Sequence, residues 1–261
     1  MLSTRRGFTS LHIKSYLRRI HYTGSLEPTY QTLAALQEAH LLAVPFENLD
    51  ISLGREIILD EAALFHKIVE QRRGGFCYEL NGLFASLLRA LGFKVTMLSA
   101  EVAHAAGGFG PAFDHLALLV QLEEPRLVDV GFGDSFSRPL LHQEMLEQVQ
   151  DENAYRLLRD DPYWTLQQRS PDGTWDAQYR FTLQPRQLSD YEEMCRYQQT
   201  SPESHFTQHR VCTLMTKQGR VTLSDMRLII TEHGKRHEQA LSNQEEYSAA
   251  LRERFGISLP G

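Results

Sequence analysis

The stretch "RRGGFCYELNGLFASLLRALGFKVTMLSAEVA", residues 72–103, carries two hydrophobic periods in succession. From Cys77 onward, Leu80, Leu83, Phe84, Leu87, Leu88 and Leu91 recur at intervals of three and four, one face of an α-helix. Gly92 is a suitable stop, because it tolerates the left-handed backbone that ends many helices. From Phe93 the pattern shortens, and KVTMLSAEVA reads as a strand. The chain passes from helical to β organisation at this point.

Upstream the sequence is helical. In LHIKSYLRRI the apolar residues Leu11, Ile13, Tyr16, Leu17 and Ile20 fall mostly on one helical face. TYQTLAALQEAHLLAV follows, with Thr29 as its cap and Pro45 as its stop, since proline lacks the N–H of an interior turn. DEAALFHKIVEQRR, residues 60–73, reads as another helix with Asp60 as N-cap. Downstream, HLALLVQL and RLVDVGF are β-rich runs, and YWTLQQRSPDGTWDAQYRFTL is a hairpin turning at Pro171-Asp172-Gly173. RVCTLMTKQGRVTLSD and MRLIITEHGKRHE add short strands, and SNQEEYSAALRERFG supplies a last helix. The expected class is α+β in three parts: a helical bundle over 1–92, a β-barrel over 93–194 and an α/β lid over 195–261.

Composition excludes several partners. Apolar residues make up 42% and charged residues 23%, the balance of a chain with an ordinary core. Net charge is −6 with no lysine/arginine-rich block, which argues against nucleic acid as a partner. No apolar run reaches the roughly 18 residues of a membrane span. MLSTRRGFTSLHIKSYL lacks the apolar core of a secretory signal, and MLSTRRGF reads as a frayed end. Three cysteines, Cys77, Cys195 and Cys212, suit free thiols in a reducing cytoplasm. His233 and His237 have helical spacing but no third ligand nearby, so no metal site is expected.

Cys77 admits two readings. A cysteine attacks as thiolate, and a helix N-terminus, a nearby cation or an imidazole lowers its pKa. Gly74 and Gly75 let the backbone turn sharply and leave the sulfur unobstructed. A buried structural cysteine is the other reading, and local context does not separate the two.

The segment FDHLALLVQLEEPRLVDVGFGDS, residues 113–135, shifts the balance. Two strand-like runs flank Glu123-Glu124-Pro125. A hairpin centred on residue 122 puts His115 and Asp129 nearly opposite one another; one centred on 123 puts them on a diagonal of the same face. Asp129 lies in an apolar run, where an unpaired carboxylate costs several kcal/mol, so an imidazole partner is expected. Cys77, His115 and Asp129 then read as nucleophile, base and orienting carboxylate.

With those residues in place, the chain resembles the arylamine N-acetyltransferases over most of its length. VPFENLDI (44–51) looks like that family's P-F-E-N block and RRGGFCYELNGLF its nucleophile block. DHLALLV and LVDVGFGDS look like its histidine and aspartate blocks, and YQQTSPESHFT (197–207) its C-terminal signature. The resemblance implies an acyltransferase of xenobiotic metabolism with a fold related to papain-like and transglutaminase-like thiol enzymes. Acetyl-CoA would be cosubstrate and no metal would be needed. An arylamine or arylhydrazine would accept the acetyl group from acetyl-Cys77 in a ping-pong cycle. Phe132 and Phe46 would wall the amine pocket; Tyr197, Ser201 and Ser204 would lie near the coenzyme or acyl group. Arg73 and Glu47 would brace the nucleophile loop and Asn81 orient the site, although solvated charges and a helix-surface amide are the plain alternatives. A thiol hydrolase or peptidase, or a macrolactam-forming amide synthase, could use the same triad. Residues 136–190 have no firm match in the resemblance, and substrate preference is expected to lie partly there.

Overall fold

The computed structural model describes residues 8–259, so most of the expected frayed end lies outside the described residues. Helix α1 (Ser10–Arg19) is capped by Thr9, and α2 (Tyr30–Ala43) by the Thr29 hydroxyl, as expected. A two-residue strand β1 (Phe46–Glu47) and a short helix α3 (Leu49–Ser52) follow. The Asp60 carboxylate caps α4 (Glu61–Phe65), which widens into a π-helical turn (His66–Glu70) instead of continuing as one helix to residue 73. Helix α5 (Cys77–Ala90) is the expected nucleophile helix, with Gly92 left-handed just beyond it.

Eight strands then build one strongly curled antiparallel sheet. They are β2 (Lys94–Val102), β3 (His115–Gln121), β4 (Arg126–Val128), β5 (Leu140–Leu141), β6 (Gln148–Gln150), β7 (Asn153–Asp160), β8 (Tyr163–Arg169) and β9 (Trp175–Phe181). Their order is β5-β4-β3-β2-β9-β8-β7-β6. The two ends of this order meet through amide side chains. Gln148 both accepts from Leu141 N–H (2.6 Å) and donates to Leu141 C=O (3.0 Å), copying a strand's bonding, and Gln150 does the same for Arg138. The barrel is thus nearly closed without a backbone ladder at the seam.

The barrel strands present two faces. Leu98, Ala100, Ala117, Leu127, Leu157, Leu166 and Tyr179 fill the interior. The alternate positions Met97, Leu116, Leu118, Val120 and Val128 pack on Leu80, Leu83, Phe84 and Leu87 of α5 and on the other helices. The β3–β4 register pairs Leu118 with Val128, which centres the hairpin on residue 123.

The remainder comprises a 3₁₀ turn (Leu188–Tyr191), α6 (Glu192–Thr200), α7 (His205–Gln208), strands β10 (Val211–Thr216), β11 (Gly219–Ser224), β12 (Arg227–Glu232) and β13 (Lys235–Ala240), and α8 (Gln244–Phe255). Its sheet has the order β1-β10-β11-β12-β13, so the edge strand is borrowed from residues 46–47, far earlier in the chain. His233 and His237 lie in the β12–β13 hairpin, not on a helix as their spacing suggested; His237 pairs opposite Ile230. Among the described residues no three His, Cys, Asp or Glu side chains cluster as metal ligands.

Candidate active site

Cys77 opens α5, and the Phe76 N–H one residue before it is capped by Glu79 of the next turn (3.1 Å). The two glycines before it serve close approach, not left-handed backbone. A Cβ on Gly74 would stand 1.9 Å from the Pro45 carbonyl oxygen. That proximity lets Glu47 N–H bond the Gly75 carbonyl (2.9 Å), tying β1 to the nucleophile turn. Cys77 itself is buried, 4% exposed. Burial pushes its thiol well up; a hydrogen bond from the Leu116 backbone pulls the other way, and Asp114 and Asp129 add to the rise. An isolated thiol in this setting stays protonated, so ionisation needs a partner within the site to take the proton. The bond from Leu116 puts the sulfur beside the residue that follows His115.

His115 opens β3, and Asp129 follows the end of β4 on the same diagonal of the hairpin. Their side chains meet: His115 Nε2 and Asp129 Oδ2 are 2.7 Å apart, both buried. Asp129 collects three further donors: Tyr179 OH on Oδ2 (3.0 Å), and Asn81 Nδ2 (2.8 Å) and Gly131 N–H (2.9 Å) on Oδ1. Burial works to raise its carboxyl, but His115, Asn81 and Gly131 outweigh that and hold it below the ordinary carboxylate range. An ionised Asp129 only accepts, so His115 Nε2 must be the donor and Nδ1 is left as the basic nitrogen.

Asn81 is buried and joins three elements, which removes the helix-surface alternative. Its amide donates to Leu116 C=O (2.7 Å) and Asp129, and its oxygen accepts from Val130 N–H (2.9 Å). Arg73 and Glu47 are buried too, not solvated: Nε and Nη2 reach the two carboxylate oxygens at 2.8 and 3.0 Å. Such fork-on-fork pairing fixes geometry as well as charge. Sequence reasoning missed Tyr179, which comes from the unmatched segment 136–190. It reaches Asp129 because β9 pairs with β2 next to β3, a non-local arrangement with no local signal. It also missed Glu79 and Lys67, joined at 2.8 Å beneath the turn that leads into Cys77.

The expected substrate contacts are placed as follows. The Phe132 ring packs edge-on to His115 (centroids 5.2 Å) and against Tyr179 (5.1 Å). Phe46 lies behind Gly133, with its ring 3.7 Å from where a Cβ would be, and packs on Phe206. Tyr197 is exposed on α6. Ser201 accepts from Glu203 N–H in the α6–α7 link (3.2 Å). Ser204 is buried and caps α7; its hydroxyl donates to Gln198, whose amide donates to Asp114 beside His115 (2.8 Å). Ser204 thus reaches the site through Gln198. The glycine-rich stretch before His115 forms turns, with Gly107 and Gly108 left-handed. A roughly 570 Å³ cavity among Ile57, Ile58, Cys195 and Gln199 is not lined by Cys77, His115 or Asp129.

A family model described as N-acetyltransferase matches residues 29–261. An arylamine N-acetyltransferase of Escherichia coli K12 is 36% identical over 95% of this chain and 89% of its own. The solved arylamine N-acetyltransferase of Salmonella typhimurium superposes with a TM-score of 0.91 at 33% identity, covering 97% of this chain and 93% of that one. A Mycobacterium marinum arylamine N-acetyltransferase, solved in complex with CoA, superposes with a TM-score of 0.87 at 32% identity, covering 94% and 92%.

Proposed function

The chain belongs to the arylamine N-acetyltransferase family, and from that premise we propose that Cys77, His115 and Asp129 carry an acetyl-CoA-dependent acetylation of arylamines and arylhydrazines. One observation supports these assignments above the others: a helix-opening cysteine beside Leu116, next to a buried His115–Asp129 pair at 2.7 Å. Asp129 fixes the tautomer, so Nδ1 of His115 takes the Cys77 proton and the buried thiol ionises as one half of an ion pair. The thiolate forms a bond to the acetyl carbonyl carbon. The tetrahedral oxyanion accepts from backbone N–H groups near Cys77, at the start of α5. The C–S bond to coenzyme A breaks, and the departing sulfur takes the proton from His115. The amine nitrogen then attacks acetyl-Cys77, His115 removes its proton, and the amide leaves as Cys77 is restored.

Phe132 and Phe46 serve as aromatic walls for the acceptor, and Tyr197, Ser201 and Ser204 as coenzyme-side residues. In the same proposal the first part of the chain, 1–92, supplies the nucleophile, 93–194 the histidine and aspartate, and 195–261 the covering layer. Three free, buried thiols suit a reducing cytoplasm. Among the described residues no helix is long and apolar enough to cross a membrane. The test is intact-mass spectrometry after mixing with acetyl-CoA alone. One acetyl group per chain, absent from Cys77→Ser, is expected; an adduct that survives Cys77→Ser, or acetyl-CoA hydrolysis with no adduct, rejects the assignment.

A further inference from the structure

Behind the nucleophile turn lies a buried group of five charges. Lys67 Nζ bridges Asp50 and Glu79 at 2.8 Å each, and Arg73 bridges Glu47 and Asp50. Three carboxylates thus share two cations. Glu79, 1% exposed, is the member on α5 itself: Oε2 accepts the Phe76 N–H at 3.1 Å while Oε1 takes Lys67. The backbone is moulded onto that carboxylate, because a Cβ on Gly75 would stand 2.7 Å from Oε2. Phe76 is the residue immediately before Cys77.

We propose that Glu79 is a positioning residue for acetyl transfer: its carboxylate, braced by Lys67, holds the Phe76 amide and so fixes the turn that presents the Cys77 sulfur. The proposal rests on reading Cys77 as the nucleophile. Lys67 matters for charge as well as reach. A bare carboxylate two residues from the thiol would oppose thiolate formation, and the ammonium cancels it. The groups facing Glu79 are Lys67 from the π turn, Glu47 from β1, Asp50 from α3, Arg73 from the loop and Cys195 from α6. A roughly 440 Å³ cavity lined by Asp50, Lys67, Arg73 and Glu79 gives protons a route to the cluster.

Burial, with a smaller push from the neighbouring carboxylate of Glu47, makes Glu79 hard to keep ionised. Burial raises it, Lys67 lowers it and Glu47 raises it again, leaving it near 7 where 4.5 is ordinary. Ionising Glu79 therefore costs the fold more than the open chain, and its contribution to stability is lost as pH rises from about 4.5 to about 7.

The test is single-turnover acetylation by acetyl-CoA without amine, followed across about pH 6 to 8.5 in wild type, Glu79→Gln and Cys77→Ser, with melting temperatures. Wild type should slow as pH falls through about 7. Glu79→Gln should acetylate about tenfold or more slowly at the alkaline end, lack that inflection, and melt no lower than wild type there. A Glu79→Gln rate equal to wild type, or rate and melting temperature falling together with the inflection retained, overturns the proposal. Should Glu79→Gln not fold, Lys67→Gln must move the inflection to higher pH, and an unmoved inflection overturns it equally. If wild type gains no acetyl group beyond Cys77→Ser, the nucleophile reading fails instead.

Discussion

Gly131 lies directly against the backbone of Cys77: a Cβ at 131 would stand 2.8 Å from Cys77 Cα and 2.7 Å from Asn81 Nδ2. The loop that follows Asp129 is thereby held on the first turn of α5. Gly131→Ala should push the two apart, costing about 1–3 kcal/mol of stability and most of the acetylation rate. Calorimetry and the acetyl-CoA burst measure both; wild-type values for either would show that the loop yields freely.

Thiol labelling should separate the three cysteines. All are buried, and burial raises Cys195 to about 12 and both Cys77 and Cys212 well above the ordinary value. Only Cys77 sits beside an imidazole-bearing strand at a helix N-terminus, so iodoacetamide near neutral pH should modify it first, and acetyl-CoA should protect it. Equal labelling of the three in the folded protein contradicts an activated Cys77.

Asp129→Asn places an NH₂ among donors that need acceptors, namely His115, Tyr179, Asn81 and Gly131. Activity should fall by several orders of magnitude, on the scale of roughly 10⁴-fold known for a serine-protease triad. Acid stability should respond as well. The Asp129 carboxyl is depressed in the fold, so its contribution is present above pH ~4 and is lost as pH falls through its lower folded value. Wild type should therefore lose stability more steeply below pH ~4 than Asp129→Asn. Parallel acid-unfolding curves would reduce Asp129 to a cap.

Phe132→Ala tests the acceptor wall. Loss of stacking on a flat amine should raise the apparent KM for arylamine by about 1 kcal/mol, or more with lost burial. Acetyl-enzyme formation should change much less, because it precedes amine binding. The ring also packs on His115 and Tyr179, so a lower melting temperature with both half-reactions reduced in proportion would mark it as core.

The legible parts of the sequence were those where local chemistry and period agree. The α5 period with Gly92 behind it, the Thr29 and Asp60 caps and the Pro171-Asp172-Gly173 turn are all interactions of near neighbours, and the structure holds them as read. Parity restricted the His115–Asp129 hairpin to two registers, and the observed one is centred on residue 123. What escaped depends on distant pairing. Tyr179 meets Asp129 across fifty residues, and nothing local to Glu79 announces Lys67, which the fold brings beneath it together with Asp50. The glycines at 74 and 131 were legible as glycines but not by reason, since the atoms that exclude a side chain there belong to other parts of the chain.

Strand β1 sets the order in which the enzyme can be finished. Its partner β10 pairs Glu47 with Cys212 and Phe46 with Thr213, so Glu47, which holds the turn before Cys77, receives its own support from chain made about 160 residues later. At a synthesis rate of roughly 5–20 residues per second, that is a delay of about 10–30 s. A nascent chain emerging from the ribosome carries Cys77 early but completes its surroundings last. On the proposed assignment of Cys77, a reactive sulfur is a property of the finished polypeptide, and unfinished chains stalled before Val211 should neither acquire acetyl groups from the cellular pool nor present a primed thiol to oxidants.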